Sequence, residues 1–330
     1  MLRSALGRAI GVARAQLVQS AFTAHATTAI AAAGAAAFVG AAATATICEQ
    51  TDVTPTESIT LRDGRRLAFR CFGDPNGVAV FALHGMGSCH LTWVTAQPLA
   101  TIVHGVRLIA LDRPGYGDSS NPPAGYSYKQ AADDIEQLAD ALGVQHFAVA
   151  GHSSGGPYAL AVAALLPSRV TACAAICSDP PYAHARTPDA VRASDTMATD
   201  FYGKDPVAKV GKWAAKAMEA GPASKRHAWK QGPVGFVTDF MLERLPWAFQ
   251  IESIELGERL TFWVGEKDYP SIVLGAPWMQ ALVPGSRLRV VKDGTHGFKS
   301  DPDHLRAILE ELRDRSVIGD PNHPHWHAAR

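Results

Sequence analysis

The sequence predicts an α/β fold, in which a mostly parallel, doubly wound sheet carries a helical insertion. Short apolar runs alternate with helical patterns after about residue 57, and chemically suggestive residues fall directly after several of these runs. One long stretch, residues 181–254, interrupts the alternation with helical and turn-rich sequence. Buried strands that alternate with helices are typical of parallel sheets, and ligands bind such sheets beyond the carboxyl ends of the strands.

The length and composition fit one large α/β domain with an insertion, or two modest domains. The 330 residues are 47% hydrophobic and 19% charged, with a formal net charge of +0, which gives no reason to expect binding to nucleic acid. The chain carries neither a phosphate-binding P-loop motif nor an H-E-x-x-H zinc motif, so no cofactor and no metal is indicated. The five cysteines match no zinc spacing and indicate no disulfide framework, and we expect Cys173 and Cys177, which lie in an apolar strand-like run, to pack in the core.

Residues 1–50 differ from the rest of the chain. Three arginines stand among apolar residues there, and no acidic residue precedes Glu49. Such a start is typical of mitochondrial presequences and plastid transit peptides. Residues 21–48 carry no Asp, Glu, Lys or Arg and are long enough to span a bilayer, although alanine dominates them. We therefore expect an organellar, mitochondrial location, with plastid import, a membrane anchor through residues 21–48 or an inert leader as alternatives.

The apolar runs have the length and composition of buried strands. Strands are expected at residues 59–72 (a hairpin), 78–83, 106–111, 146–150, 170–177, 260–264 and 288–291. Helical patterns are expected at residues 91–102, 131–142, 156–165, 272–282 and 303–312.

The chain is expected to divide into a core in two parts, a cap and two terminal segments. Residues 51–180 form the first part of the α/β core, and residues 255–315 form the second. Residues 181–254 are predicted to be a helical cap over the site, whose aromatic side chains either line an apolar pocket or pack the cap's own core. Residues 316–330, which include several histidines, are expected to form a flexible, solvated tail rather than a metal site.

Residues Gly151–Gly155 read G-H-S-S-G and carry the strongest chemical signal. An apolar run precedes them and a small-residue helical pattern follows, as in a nucleophile elbow, where a sharp strand-to-helix turn exposes a serine hydroxyl. The helix N-terminus behind Ser153 would present N–H groups where negative charge develops. A lone serine is a weak nucleophile, so the hypothesis requires a base, an acid and an oxyanion hole elsewhere in the chain.

Four further segments accompany this motif in a consistent order. They are His84-Gly85, the run D-R-P-G-Y-G-D-S at residues 112–119, G-E-K-D at residues 265–268 and G-T-H-G at residues 294–297. With these five landmarks the chain resembles the α/β-hydrolases over about residues 57 to 314. The resemblance implies the order nucleophile, acid, base, which Ser153, Asp268 and His296 fit.

The residue types agree with these roles. His296 lies in a glycine-flanked loop after the last predicted strand, and a histidine can take up the serine proton because its pKa is near neutrality. Asp268 also follows a strand, in a loop that can face this histidine and fix its tautomer.

The sequence leaves the acid open between two positions. Asp179 also follows a strand, and some α/β-hydrolases carry the acid there, so it is the alternative to Asp268, which occupies the more usual loop. The resemblance also implies two backbone donors for an oxyanion hole. One is the N–H of Ser154, directly after the nucleophile, and the other comes from the loop after His84, where Met86 is the candidate.

A nucleophilic serine points to acyl chemistry through an acyl-enzyme. We therefore predict a serine hydrolase, a carboxylic-ester hydrolase by expectation, that acts on a small-molecule acyl substrate. C–C bond hydrolysis or acyl transfer with the same triad is one alternative. A slow, receptor-like ligand-binding protein with the same fold is the other, because fold alone does not determine function.

Overall fold

The computed structural model describes residues 56–94, 99–201 and 205–319. Within these ranges no helix is both long enough and apolar enough to cross a membrane. The predicted leader at residues 1–50, with the targeting and anchoring expected of it, lies outside the described residues, as do residues 320–330.

One sheet of eight strands forms the centre of the described chain, in the order β1-β2-β4-β3-β5-β6-β7-β8. β2 pairs antiparallel with both of its neighbours, β1 and β4, and the remaining neighbours pair parallel, which confirms the predicted, mostly parallel sheet. The strands are β1 (Glu57–Thr60), β2 (Arg66–Gly73), β3 (Val78–Leu83), β4 (Val106–Asp112), β5 (Phe147–His152), β6 (Val170–Ile176), β7 (Leu260–Gly265) and β8 (Arg287–Val291).

Helices connect these strands and fill the interval between β6 and β7. In the described ranges they are α1 (Leu99–Ile102), α2 (Tyr128–Ala141), α3 (Gly155–Leu165), α4 (Asp189–Ala193), α5 (Thr196–Phe201), α6 (Pro206–Ala220), α7 (Ala223–Ala228), α8 (Val234–Arg244), α9 (Pro270–Leu282) and α10 (Pro302–Gly319). Short 3₁₀ turns lie at His90–Trp93, Ile251–Ser253, Gly257–Arg259 and Phe298–Ser300.

The central strands are buried on both faces, which explains why they are continuous apolar runs rather than alternating ones. Phe81 of β3 and Val149 of β5 point to one face and join a cluster that includes residues of α2 and α3. Val80 and Ala148, their chain neighbours, point to the other face and pack with residues of α10. The sheet therefore has helices on both sides, as a doubly wound fold requires.

The helices between β6 and β7 have a small apolar core of their own. Trp229 and Phe236 stack there with ring centroids 5.6 Å apart, and Phe240 and Val210 are buried in the same cluster. These aromatic side chains pack together, which is the second of the two interpretations that the sequence allowed. Met86, from the loop after β3, contacts the same cluster and so connects the sheet edge to the inserted helices.

Two predicted boundaries differ from the structure. The helix expected over residues 91–102 is a 3₁₀ turn at His90–Trp93 and a separate short helix, α1. The sequence carries Pro98 just before α1, and proline is tolerated only in the first turn of a helix. At the other end α10 continues to Gly319, so residues 316–319 are not part of a flexible tail; Ser316 is buried, and its hydroxyl accepts a hydrogen bond from Thr171 at 2.8 Å.

Candidate active site

Ser153 lies on the sharp turn between β5 and α3 that the motif predicts. Its backbone φ is +56°, in the left-handed region that non-glycine residues rarely adopt. The glycines on either side permit this turn. A Cβ on Gly151 would lie 2.1 Å from the carbonyl oxygen of Gly155, and a Cβ on Gly155 would lie 2.4 Å from that of Leu83. Only glycine lets the strand and the helix approach this closely.

His296 joins Ser153 to Asp268 through both of its ring nitrogens. Its Nε2 lies 2.9 Å from Ser153 Oγ, and its Nδ1 lies 2.8 Å from Asp268 Oδ1. The Asp268 side chain is 0% exposed, whereas that of His296 is 26% exposed. Since an ionised carboxylate only accepts hydrogen bonds, the proton on this histidine belongs on Nδ1, which leaves Nε2 free to accept from the serine hydroxyl.

The second candidate acid, Asp179, does not contact this histidine by a hydrogen bond. It follows β6 and its Oδ2 accepts a long hydrogen bond, 3.5 Å, from the hydroxyl of Ser154. The carboxylate bonded to His296 is that of Asp268. The structure thus brings Ser153, His296 and Asp268 together and places Asp179 beside them.

The loop after β3 passes directly over the nucleophile turn. A Cβ on Gly85 would lie 2.9 Å from Ser153 Cβ and 3.4 Å from Ser153 Oγ, so a side chain there would collide with the serine. Met86 follows in this loop, and Ser154 follows the serine. Neither backbone N–H donates a hydrogen bond to another described residue, so both remain available to a ligand.

His152 supports the histidine loop from below, a role that sequence reasoning missed. Its Nε2 donates to the backbone carbonyl of His296 at 2.8 Å. Burial, with Lys299 nearby, lowers the pKa of His152 well below its ordinary value, so the ring is neutral. The signal was present, because this histidine stands inside the G-H-S-S-G motif, but the spacing alone does not say what it contacts.

A buried ion pair connects the sheet edge to helix α8, and sequence reasoning missed it as well. The guanidinium of Arg113, after β4, donates to both carboxylate oxygens of Asp239 at 2.6 and 2.8 Å. The hydroxyls of Tyr116 and Tyr158 donate to the same carboxylate at 2.6 and 2.8 Å. Arg113 also donates from Nε to the backbone carbonyl of His84 at 2.8 Å. The available signals were the run at residues 112–119, which contains Arg113, and Asp239, a carboxylate between the phenylalanines of a helical pattern.

Among the described residues, two groups of side chains bring possible metal ligands within 4.8 Å of one another: His152, Cys177 and His296, and Cys89, Asp112 and His227. Burial raises the pKa of both thiols, that of Cys89 to about 12, so both are protonated and poor ligands. Asp112 already accepts hydrogen bonds from His90 Nδ1 and His227 Nε2, each at 2.9 Å. The second group is therefore a hydrogen-bonded structural cluster around Asp112, whereas the first surrounds His296, which is already bonded to Ser153 and Asp268.

The comparison with protein families agrees with this architecture. Residues 78–228 match the family model described as the alpha/beta hydrolase fold. The predicted resemblance to the α/β-hydrolases is confirmed over these residues. Residues 78–228 include the strands β3 to β6, the nucleophile turn and the loop that carries Met86.

Two curated relatives are similar over part of the chain. A non-heme chloroperoxidase of Streptomyces lividans is 33% identical over 125 residues, which is 38% of this chain and 45% of that protein. A bifunctional esterase/perhydrolase of Acinetobacter calcoaceticus is 33% identical over 98 residues, 30% of this chain and 35% of that protein. The matched stretch therefore spans less than half the length of either relative. Such relatives support a hydrolase of this superfamily.

Solved structures extend the likeness of fold over most of the chain. A thermophilic esterase from Thermogutta terrifontis superposes with a TM-score of 0.59 at 21% identity and covers 80% of this chain and 100% of that one. A hydrolase from Pseudomonas aeruginosa PA01 gives a TM-score of 0.59 at 19% identity over 78% of this chain and 98% of its own. The predicted α/β-hydrolase fold is confirmed.

Proposed function

We propose that the protein is a serine hydrolase that cleaves a carboxylic ester through an acyl-enzyme formed on Ser153. The observation that carries the proposal is the continuous hydrogen-bonded chain from Asp268 through His296 to Ser153, with distances of 2.8 and 2.9 Å. Nucleophile, base and orienting acid within hydrogen-bond reach of one another are what serine-based acyl transfer needs. This triad and the ester substrate are our inference; the superfamily supports the hydrolase class.

In the first half-reaction Ser153 Oγ attacks the ester carbonyl carbon while its proton moves to Nε2 of His296. The resulting imidazolium is stabilised by the Asp268 carboxylate on Nδ1. When the tetrahedral intermediate collapses, the bond to the alcohol oxygen breaks and Nε2 returns the proton to the leaving alcohol. The products of this step are the free alcohol and the acylated serine.

In the second half-reaction a water molecule takes the place of the alcohol. His296 Nε2 accepts a proton from the water as its oxygen attacks the acyl carbon, and the proton then passes to Ser153 Oγ as the acyl–oxygen bond breaks. Acid is released and the enzyme is restored. The backbone N–H groups of Met86 and Ser154 are the proposed donors to the oxyanion, where negative charge develops.

The test is covalent labelling and turnover of Ser153→Ala. We expect a fluorophosphonate probe to label the wild-type protein and not this variant, and turnover of p-nitrophenyl esters to fall by about 10⁴-fold or more. Ser253→Ala is the matched control, because Ser253 is an exposed serine in the 3₁₀ turn at residues 251–253. It should label and turn over like the wild type.

Other results would contradict the proposal in distinct ways. Labelling that survives in Ser153→Ala would show that another residue is the nucleophile. If Ser153 is labelled but no p-nitrophenyl ester in a panel of rising chain length is hydrolysed, Ser153 is a reactive nucleophile and the ester substrate class is rejected.

A further inference from the structure

A second group of carboxyl side chains lies beside the nucleophile turn and has no part in the steps above. Asp179, just after β6, is partly exposed and accepts only the long 3.5 Å hydrogen bond from Ser154 among the described residues. No ion pair of Asp179 occurs in that part of the chain. A carboxylate at the edge of a reaction site without a charged partner is a candidate for contact with a ligand.

Glu243, on α8, brings a second carboxyl group to the same place. Its side chain is 1% exposed, and its Oε2 accepts a hydrogen bond from Arg244 at 3.0 Å. Its other oxygen, Oε1, is buried and has no hydrogen-bond partner among the described residues. The Glu243 carboxyl interacts electrostatically with Asp179 and lies near the Ser154 hydroxyl.

Two further buried polar atoms nearby also lack partners in the described structure. They are the hydroxyl of Tyr128 and the Nε1 of Trp247, whose rings meet edge to face at 5.5 Å. Buried polar atoms are nearly always hydrogen-bonded, and leaving one unpaired destabilises the folded state. The Tyr128 hydroxyl also interacts electrostatically with Glu243. These unpaired atoms, on α2 and at or just after the end of α8, therefore indicate a place for a polar ligand group.

The charges in this region favour a cation. Asp179, Asp195 and Glu243 face the guanidinium of Arg244, which is held by both oxygens of Asp195 at 2.6 and 2.8 Å. The positive charge of Arg244 therefore neutralises mainly Asp195, and the rest of its stabilisation is divided between Asp179 and Glu243. Burial raises the pKa of Asp179 to about 6, and burial together with Asp179 raises the pKa of Glu243 well above its ordinary value. Both directions are those expected when burial outweighs the stabilisation that nearby positive charges give to a carboxylate.

We propose that Asp179 and Glu243 form a subsite that binds a protonated amino group on the acyl part of the substrate. This inference rests on the proposed function and names the substrate class, an ester whose acyl chain carries an ammonium group. One ammonium brings a full positive charge and three N–H donors, which suits two carboxyl groups and the Tyr128 oxygen. Ser154 sets the position of the subsite relative to the reacting ester. Its hydroxyl contacts Asp179, and its N–H is the proposed donor to the carbonyl oxygen of the same acyl group.

The test compares two esters of equal size. p-Nitrophenyl aminohexanoate, with its amine at the chain end, carries an ammonium where p-nitrophenyl heptanoate carries a methyl group. We expect the wild type to prefer the ammonium ester in kcat/KM, and Asp179→Asn to reduce that preference by about 10- to 100-fold, as for the loss of a charge-assisted hydrogen bond. Asp189→Asn is the matched control, because the Asp189 side chain is fully exposed on α4; it should leave the preference unchanged.

A binding measurement keeps the two proposals separable. Calorimetric titration with alkylammonium chlorides, from ethyl to hexyl, needs no turnover, and circular dichroism reports whether Asp179→Asn is folded. Binding to the wild type that weakens at least tenfold in folded Asp179→Asn supports the subsite, even if no ester is hydrolysed and the proposed function fails. Ester hydrolysis by Ser153 with no ammonium preference, and with equal or no alkylammonium binding by both proteins, overturns the subsite and leaves the proposed function standing.

Discussion

Asp268 and Asp179 stand at the same edge of the sheet, each just after a parallel strand, yet their surroundings differ. The Asp268 side chain is fully enclosed, and its Oδ1 accepts from His296 Nδ1 at 2.8 Å and from the N–H of Tyr269 at 2.6 Å. Asp179 keeps part of its surface accessible and makes the long 3.5 Å contact with Ser154. The same residue type at equivalent positions therefore has two roles, which its hydrogen-bond partners decide.

The comparison also explains where a ligand can act. Asp268 has its charge opposite a histidine that becomes positive during the proposed reaction, so its partner is internal. Asp179 has no internal cation of its own in the described chain, and His296 and Arg244 offset its charge only at a distance. One carboxylate is thus suited to the chemistry and the other to selecting a substrate.

Exchanging each carboxylate for its amide is the strongest test of the difference between Asp268 and Asp179. Asp268→Asn should reduce turnover of p-nitrophenyl heptanoate by about 10⁴-fold, because the amide disfavours the Nδ1–H tautomer and no longer stabilises the imidazolium. Asp179→Asn should reduce it by less than about tenfold, the cost of one ordinary hydrogen bond. Steady-state kinetics of both variants on this one ester, with circular dichroism for folding, makes the measurement. If Asp179→Asn is the crippled protein, the acid is on β6.

Asp239 extends the comparison to a carboxylate that is wholly structural. Asp239→Ala should leave Arg113 buried without its partner, and breaking a buried pair in this way costs about 3–5 kcal/mol of unfolding free energy. Urea denaturation followed by circular dichroism measures the change, with the exposed Asp189→Ala as control. A loss below about 1 kcal/mol, as for a surface pair, would mean that α8 is not held to the sheet by this contact.

The pH dependence of substrate preference tests the role of the Asp179 charge. Asp179 has a pKa raised to about 6, so its negative charge is present above that pH and is lost as the pH falls through it. The groups that act on this carboxyl are His296, Arg244, Asp195 and Asp268, besides Glu243. The preference for the ammonium ester should therefore decline below about pH 6. Taking the ratio to the heptanoate ester cancels every pH effect that the two substrates share, and the ratio should be flat in Asp179→Asn.

Much of the fold and of the candidate site followed from the sequence, for a physical reason. Buried parallel strands are unbroken apolar runs, and their carboxyl ends meet at one edge, so the residues just after them, such as Ser153, Asp268 and His296, were expected to converge. The choice between Asp268 and Asp179 needed the structure, because both positions satisfy that rule.

What could not be predicted depends on how the inserted helices dock. Arg113 and Asp239 are 126 positions apart, and no periodicity in either segment says that they meet. The same holds for Glu243, whose burial against Ser154 exists only once α8 lies over the strand ends. Sequence patterns report which face of an element is apolar, whereas partners between distant elements are set by tertiary packing.

The smallest effect concerns His152, which lies behind the site and touches no proposed reacting atom. Its neutral ring donates from Nε2 to the carbonyl of His296 at 2.8 Å, so it fixes the backbone that carries the base. His152→Leu should lower kcat by about 2- to 10-fold, as for one lost hydrogen bond, with KM nearly unchanged because substrate contacts remain. His152→Gln offers an amide donor in its place and should recover part of the loss. A raised KM with kcat unchanged would show that this histidine packs the turn without positioning the base. Equal rates in the two His152 variants would show the same.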